Sequence, residues 1–307
     1  MQIHSRCTRH RGMILSHTEQ NTGLRLQQTL AQWRQWRCDP PLPGAPHLLH
    51  PLQGGLSNYN YLVQAGAQKL VIRLDGVNPA SHGLSRQAEW LALQSAASAG
   101  IAPMPRYFNP ELGALVTDFH EAELAREPSV QELSRLLRNI HALPPRRHRV
   151  DLGDRFQNYL HQVQRGGTPG LPADHRKRLD ALLTQSRELD QTAPVLTHND
   201  LLPANLLCCR QSGNWLALDW EYCGMGTPWF DLAVASFGQG LDEQGRHQLL
   251  ESYLRRPPTP QDSELLRIYG ALAAYMSLVW HLVTDPEEAA SLLEQRLPQF
   301  EGEVPSP

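Results

Sequence analysis

The chain has 307 residues, a formal net charge of −3 and a sequence pI of about 6.5. That length suits one large core or two lobes, and the charge balance carries no basic footprint for nucleic acid. The five cysteines, Cys7, Cys38, Cys208, Cys209 and Cys223, lack paired spacing, which argues against a disulfide framework or a zinc site and points to a reducing cytoplasm.

Residues 1–20 show no periodicity and are expected to form a disordered tail. Arg6, Arg9, His10 and Arg11 precede only Met13-Ile14-Leu15, far too short for a signal-peptide core. From Thr22, the recurrence of Leu26, Leu30 and Trp33 predicts a helix to about Arg37, ended by a Pro-rich spacer over 40–51. Gly54-Gly55-Leu56-Ser57-Asn58 comes next. Adjacent glycines let backbone N–H groups approach an anion, and Ser57 and Asn58 add side-chain donors. Two strands follow, 59–63 and 70–74, joined by a turn at Ala65-Gly66, with Arg73 near the end of the second. A helix is predicted over 84–99 with Leu84, Ala88, Leu91 and Ala92 on its inner face. Strands are expected near 106–108 and 114–119. Ser129-Val130-Gln131-Glu132 is a capping box opening a helix that buries Val130, Leu133, Leu136, Leu137 and Ile140. A solvated basic loop (Arg146, Arg147, Arg149) precedes helices near 152–164 and 173–189.

The stretch from Val195 to Glu221 carries the chemistry. An apolar pair, Val195-Leu196, runs into Thr197-His198-Asn199-Asp200, and Asn205 follows four residues later. Leu206 to Cys209 and Trp215 to Leu218 then read as a hairpin around a five-residue loop. In the simplest register Cys209 faces Trp215 and Asn205 faces Asp219. Directly opposed residues have Cβ atoms roughly 4.5–5.5 Å apart, so an amide oxygen and a carboxylate can share a hard cation such as Mg²⁺. Asp200 stands beside them as a free carboxylate, the kit of phosphoryl transfer. His-x-Asp, a four-residue gap, Asn, a hairpin and Asp reproduce the catalytic and metal loops of the protein-kinase fold.

This segment resembles the motif of the choline/ethanolamine kinase and aminoglycoside phosphotransferase (APH) superfamily, small-molecule kinases with a protein-kinase-like fold. Asp219-Trp220-Glu221-Tyr222, Gly224-Met225 and Phe230-Asp231-Leu232 are most similar to bacterial choline and thiamine kinases, and the resemblance spans roughly residues 50–285. It implies ATP and Mg²⁺ as cofactors and a small-molecule alcohol as acceptor. Asp200 would take the acceptor's proton, Asn205 and Asp219 would hold Mg²⁺, and Glu221 would assist a second ion. Gly54, Gly55, Ser57 and Asn58 match the nucleotide loop of choline kinases. Arg73 stands where protein kinases carry Lys, a departure shared with choline kinases, and Glu89 is its expected partner by analogy. Backbone groups of Thr117, Asp118 and Phe119 are expected to bond an adenine edge.

Past Glu221 the chain lacks Asp-Phe-Gly and a long activation segment, and Gly224–Pro228 turns directly into a helix over 229–237. The acceptor is therefore expected to be a small molecule. Helices follow near 242–255 and 262–283, with a short one from Pro286. The longest mostly apolar run, 270–283, falls below the ~18 residues of a membrane span. The helix over 262–283 is similar to the one where choline kinases place an aromatic cage. Trp280 fits that cage's second position while Ser277 occupies the first, and Tyr222 and Trp229 are further candidate walls. The expected fold is α+β and two-lobed: a tail over 1–20, a nucleotide lobe over 21–120, and a mostly helical lobe over 121–307. The expected activity is a cytoplasmic kinase acting on choline, ethanolamine or a related amino alcohol. Thiamine, a sugar or an aminoglycoside are alternative acceptors, and a nucleotide-binding module without turnover is the alternative from another class.

Overall fold

The structure is a computed structural model that describes residues 11–52, 58–76, 79, 83–124, 126–167 and 170–284, the side chains of 11–20 excepted. The chain divides into two compact units, residues 1–78 with 103–120 and residues 79–102 with 121–307. The architecture is α+β, an antiparallel sheet in the first unit and mostly helices in the second.

In the first unit, helix α1 (Arg11–Ala31) accompanies five strands: β1 (His47–Leu52), β2 (Asn58–Ala65), β3 (Gln68–Asp75), β4 (Pro105–Asn109) and β5 (Ala114–Asp118). They form one antiparallel sheet in the order β1-β2-β3-β5-β4. Alternation places Val63, Leu70, Ile72, Leu74 and Val116 in one core with Leu26 of α1 and with Trp36. Burying each such aliphatic side chain contributes roughly 1.5–3 kcal/mol. Arg25 pins α1 by donating to the carbonyls of Leu112 (2.8 Å) and Asp75 (2.9 Å). The β2–β3 turn needs Gly66, at φ +59°, where a Cβ would sit 2.8 Å from Pro43 Cγ. Helix α1 begins at Arg11, so 11–20 are helical rather than the expected disordered tail.

The second unit holds α2 (Arg86–Ser98), α3 (Val130–His141), α4 (Leu152–Arg165), α5 (Ala173–Leu189), α6 (Pro228–Gly238), α7 (Glu243–Leu254) and α8 (Pro260–Thr284). Two short antiparallel pairs complete it: β6 (Val195–Thr197) with β9 (Gly224–Gly226), and β7 (Leu206–Cys208) with β8 (Trp215–Ala217). The capping box at Ser129 and Glu132 forms, and α3 buries Leu133, Leu136, Leu137 and Ile140. Strand β9 replaces the expected turn at Gly224. A Cβ there would meet Val150 Cγ2 at 2.5 Å, so glycine lets the chain lie against 148–150.

Three further expectations change. Helix α2, read as part of the first lobe, groups with the second unit. Its buried face is Arg86, Glu89, Ala92, Leu93 and Ala96, whereas Leu91 is exposed, because paired charges take the inward positions. Helix α8 extends to 25 residues and has the length and apolarity of a membrane-crossing helix, yet its buried residues pack against α4, α5, α6 and α7. The short helix expected from Pro286 lies outside the described residues.

Candidate active site

The loop after β6 is built to hold one carboxylate in place. Thr197 Oγ1 donates to the Gly224 carbonyl at 2.8 Å. His198 is fully buried, meets the Leu218 carbonyl through Nε2 (2.9 Å) and stands edge-on to Trp220. Burial holds the His198 pKa below its ordinary value, so the ring is a neutral Nε2–H donor. The backbone N–H groups of His198 and Asn199 donate to the fully buried Asp231 carboxylate at 2.8 and 2.6 Å. Asp231 also meets His141 Nε2 (3.0 Å), whose Nδ1 meets the Tyr253 hydroxyl (2.7 Å). Asn199 adopts φ 65° and donates its amide to the Tyr222 carbonyl at 3.0 Å. Left-handed backbone is tolerated by Asn, and here the fixed carboxylate holds it.

Asp200 leaves this strapped loop toward Asn205, which closes the 3₁₀ turn Pro203–Asn205. Asn205 Nδ2 donates to the Asp200 carbonyl (2.9 Å) and to its Oδ2 (2.7 Å). Both partners are acceptors, so the NH₂ must face them. Among the described residues no donor meets Asn205 Oδ1, which is left as an acceptor. The hairpin register differs by one residue from the expected one. Cys208 opposes Trp215, Cys209 N–H donates to the Asn214 carbonyl, and Gly213 at φ +69° lets the loop close one residue tighter. The Asn205 carbonyl accordingly takes the Leu218 N–H (2.8 Å), and Asp219 is the next residue, turned out of the strand at φ 57°. Asn205 therefore opposes Leu218 rather than Asp219, and Asp219 stands one residue on, with its charge acting on Asp200.

Burial, then the nearby charges of Asp219 and Glu221, push the Asp200 carboxyl up to about 8, against the lowering by Asn205 and Arg155. Among the described residues no three His, Cys, Asp or Glu are arranged to hold a metal. The residues present are of the kind that fit Mg²⁺, which takes few protein ligands, and Asn205 Oδ1 and the Asp219 carboxylate are the donors that would hold it. Glu221, expected to assist a second ion, instead receives Arg86 Nη1 at 3.0 Å and is almost wholly buried.

Of the other expected site residues, Gly54, Gly55 and Ser57 lie outside the described residues. Asn58 opens β2 opposite Asp75, and Arg73 is buried on β3 with Nη2 4.0 Å from Asp75. Glu89 accepts from Arg86 at 2.8 Å, a partner the sequence reading did not name. The amides of Asp118 and Phe119 donate to the Met104 (2.9 Å) and Lys69 (3.2 Å) carbonyls, and the Asp118 carboxylate is held by Arg106. Strand pairing simply runs on past the end of β5. Trp229 is buried and donates Nε1 to Thr192 Oγ1, so it is a core residue rather than an open wall. Trp280 is half-buried, with its ring set edge-on against His281. Tyr222 is covered by the Arg155 guanidinium, 5.0 Å from the ring centre.

The sequence reading missed Asp231, His141, Arg86 and Arg155 as parts of the site. A lone carboxylate inside the apolar run Trp229 to Phe237 was a legible sign for Asp231, since buried acids need partners. Arg86 three residues before Glu89 was another. Arg155 left no sequence signal.

Residues 48–268 match the model of the phosphotransferase enzyme family (APH). The chain belongs to this family. Protein LicA of Haemophilus influenzae is 24% identical over 247 residues, 76% of this chain and 72% of that protein. A choline/ethanolamine kinase family protein from Mesorhizobium loti superposes with a TM-score of 0.68 at 21% identity, covering 92% of this chain and 96% of that one. The choline kinase LicA from Streptococcus pneumoniae gives 0.68 at 20% identity, covering 84% and 95%. The fold is thus the protein-kinase-like fold of small-molecule phosphotransferases, and the chain is a phosphotransferase acting on hydroxyl-bearing small molecules.

Proposed function

We propose that this phosphotransferase moves the γ-phosphoryl group of ATP to the hydroxyl of an amino alcohol of the choline or ethanolamine type. The observation that carries the reading is Asp200, fixed by Asn205 beside Asp219 on a loop strapped to Asp231. Asp200 accepts the acceptor's hydroxyl proton. Asn205 Oδ1 and Asp219 hold Mg²⁺, which when bound neutralises developing phosphate charge. Arg73, Asn58 and the Gly54, Gly55 and Ser57 loop position the nucleotide phosphates. Glu221 and Glu89, both engaged by Arg86, support the shape of the site. With so little covalent work, positioning and charge neutralisation supply the rate.

The amino-alcohol class is supported by the kinase names that similar proteins carry and by Trp280, an incompletely buried aromatic on α8. Trp280 receives the acceptor's cationic head in this reading, with an aromatic contact of about 0.5–2 kcal/mol. A nucleotide-binding module without turnover is disfavoured by the presence of Asp200, Asn205 and Asp219 together. The test is ATP consumption, in the presence of Mg²⁺, against a panel of choline, ethanolamine, thiamine, amino sugars and aminoglycosides. The reading expects amino alcohols to give the highest kcat/KM. An aminoglycoside or thiamine giving the highest value would reassign the acceptor while keeping the chemistry.

A further inference from the structure

Arg155 on α4 is held by Tyr222 alone among the described groups. Its guanidinium lies over the Tyr222 ring at 5.0 Å, and its Nη2 donates to the Tyr222 carbonyl at 3.3 Å. No carboxylate pairs with it among the described residues. Its charge still acts on Asp200 and on Tyr159, the neighbour of Tyr222. A permanent cation therefore stands on an aromatic face beside the carboxylate that takes the acceptor's proton.

This arrangement has a chemical consequence for the acceptor. The face of Tyr222 is the sort of surface that attracts a quaternary ammonium, and the protein's own guanidinium already fills it. An alcohol with a permanently cationic head gains that face only by displacing Arg155, and it meets a like charge until then. An uncharged head of the same shape meets neither obstacle. We infer that Arg155 is a specificity-determining residue, which occupies the aromatic face of Tyr222 and so lessens the advantage that a quaternary ammonium head would otherwise gain over an uncharged one of the same shape. The inference rests on the reading that an alcohol binds beside Asp200 and Tyr222.

The test compares choline with 3,3-dimethyl-1-butanol, in which carbon replaces the charged nitrogen and the shape is kept. The kcat/KM ratio of choline to its isostere is measured for the full-length enzyme and for Arg155→Met, Arg155→Gln and Arg155→Lys. Lost packing, or a change in the basicity of Asp200, alters both acceptors alike and cancels in the ratio. Arg155→Met should raise the ratio by about 2- to 30-fold, the span of one cation–π contact expressed as a rate. Arg155→Gln should do the same and serves in its place if the Met variant fails to fold. Arg155→Lys, which keeps the charge, should stay within about twofold of the parent. A ratio unchanged or lowered in both neutral variants overturns the inference, as does a Lys variant that rises as far as they do. An enzyme that phosphorylates neither alcohol overturns the amino-alcohol reading itself, and this inference with it.

Discussion

Asp200 has a pKa of about 8, raised by burial first and then by Asp219 and Glu221. Without bound metal the folded protein therefore holds a proton on this carboxyl between its ordinary pKa, about 3.9, and about 8, where the unfolded chain does not, and a nearby Mg²⁺ would favour the ionised form that accepts a proton. A carboxylate pKa raised by folding contributes stability at low pH that is lost as pH climbs through that window. With divalent metal chelated, the stability of Asp200→Asn relative to the parent should accordingly rise from about pH 4 to about pH 8 and then level off. Paired denaturant melts across that range check this, and a flat difference would show that Asp200 is ionised throughout. Asp231 acts differently, because it never meets substrate. Asp231→Ala strands the buried N–H groups of His198 and Asn199, each costing about 1–3 kcal/mol, and should depress both the melting temperature and kcat. Trp280→Ala should raise the acceptor KM several-fold, about one cation–π contact, and leave the KM for ATP alone. A loss of stability without a change in acceptor KM would make Trp280 a packing residue.

At the scale of elements, α2 is fixed to the 3₁₀ turn Trp220–Tyr222 by Arg86, which bridges Glu89 at 2.8 Å and Glu221 at 3.0 Å. Arg86 engages two buried carboxylates at once, so removing it is far costlier than losing a surface pair. Arg86→Met should destabilise the protein by about 3–5 kcal/mol, and adding Glu221→Gln should recover part of that loss. Thermal and urea melts of the single and double variants measure the coupling. These ion pairs also explain what the sequence could and could not disclose. Apolar periodicity placed α2 and its approximate ends, but it assigned the inner face to Leu91 because it counts charges as outward. The capping box of α3 was legible because its hydrogen bonds lie within four residues. The β7–β8 register was not, since a four-residue and a five-residue loop both fit Arg210 to Asn214, and only the pairing of Cys209 with Asn214 decides between them.

Across the whole molecule, the fold class was legible, and Asp200, Asn205 and Asp219 stood out as candidates because they lie within one stretch from Thr197 to Asp219. Asp231 left a sign in its apolar run, but the supports that meet Asp231 and Tyr222, His141 and Arg155, come from helices far away in sequence and were not legible beside them. Catalytic geometry of this type depends on such distant supports as much as on the reacting groups. The account's central claim is that Asp200 accepts the acceptor's proton while taking no part in holding the nucleotide. The most direct measurement is steady-state transfer from ATP to the best acceptor, in Mg²⁺, by the parent enzyme and by Asp200→Ala, alongside nucleotide binding by calorimetry. The account predicts a kcat lower by about 10²–10⁴-fold, with nucleotide affinity nearly unchanged. An Asp200→Ala enzyme that keeps most of its kcat would contradict it.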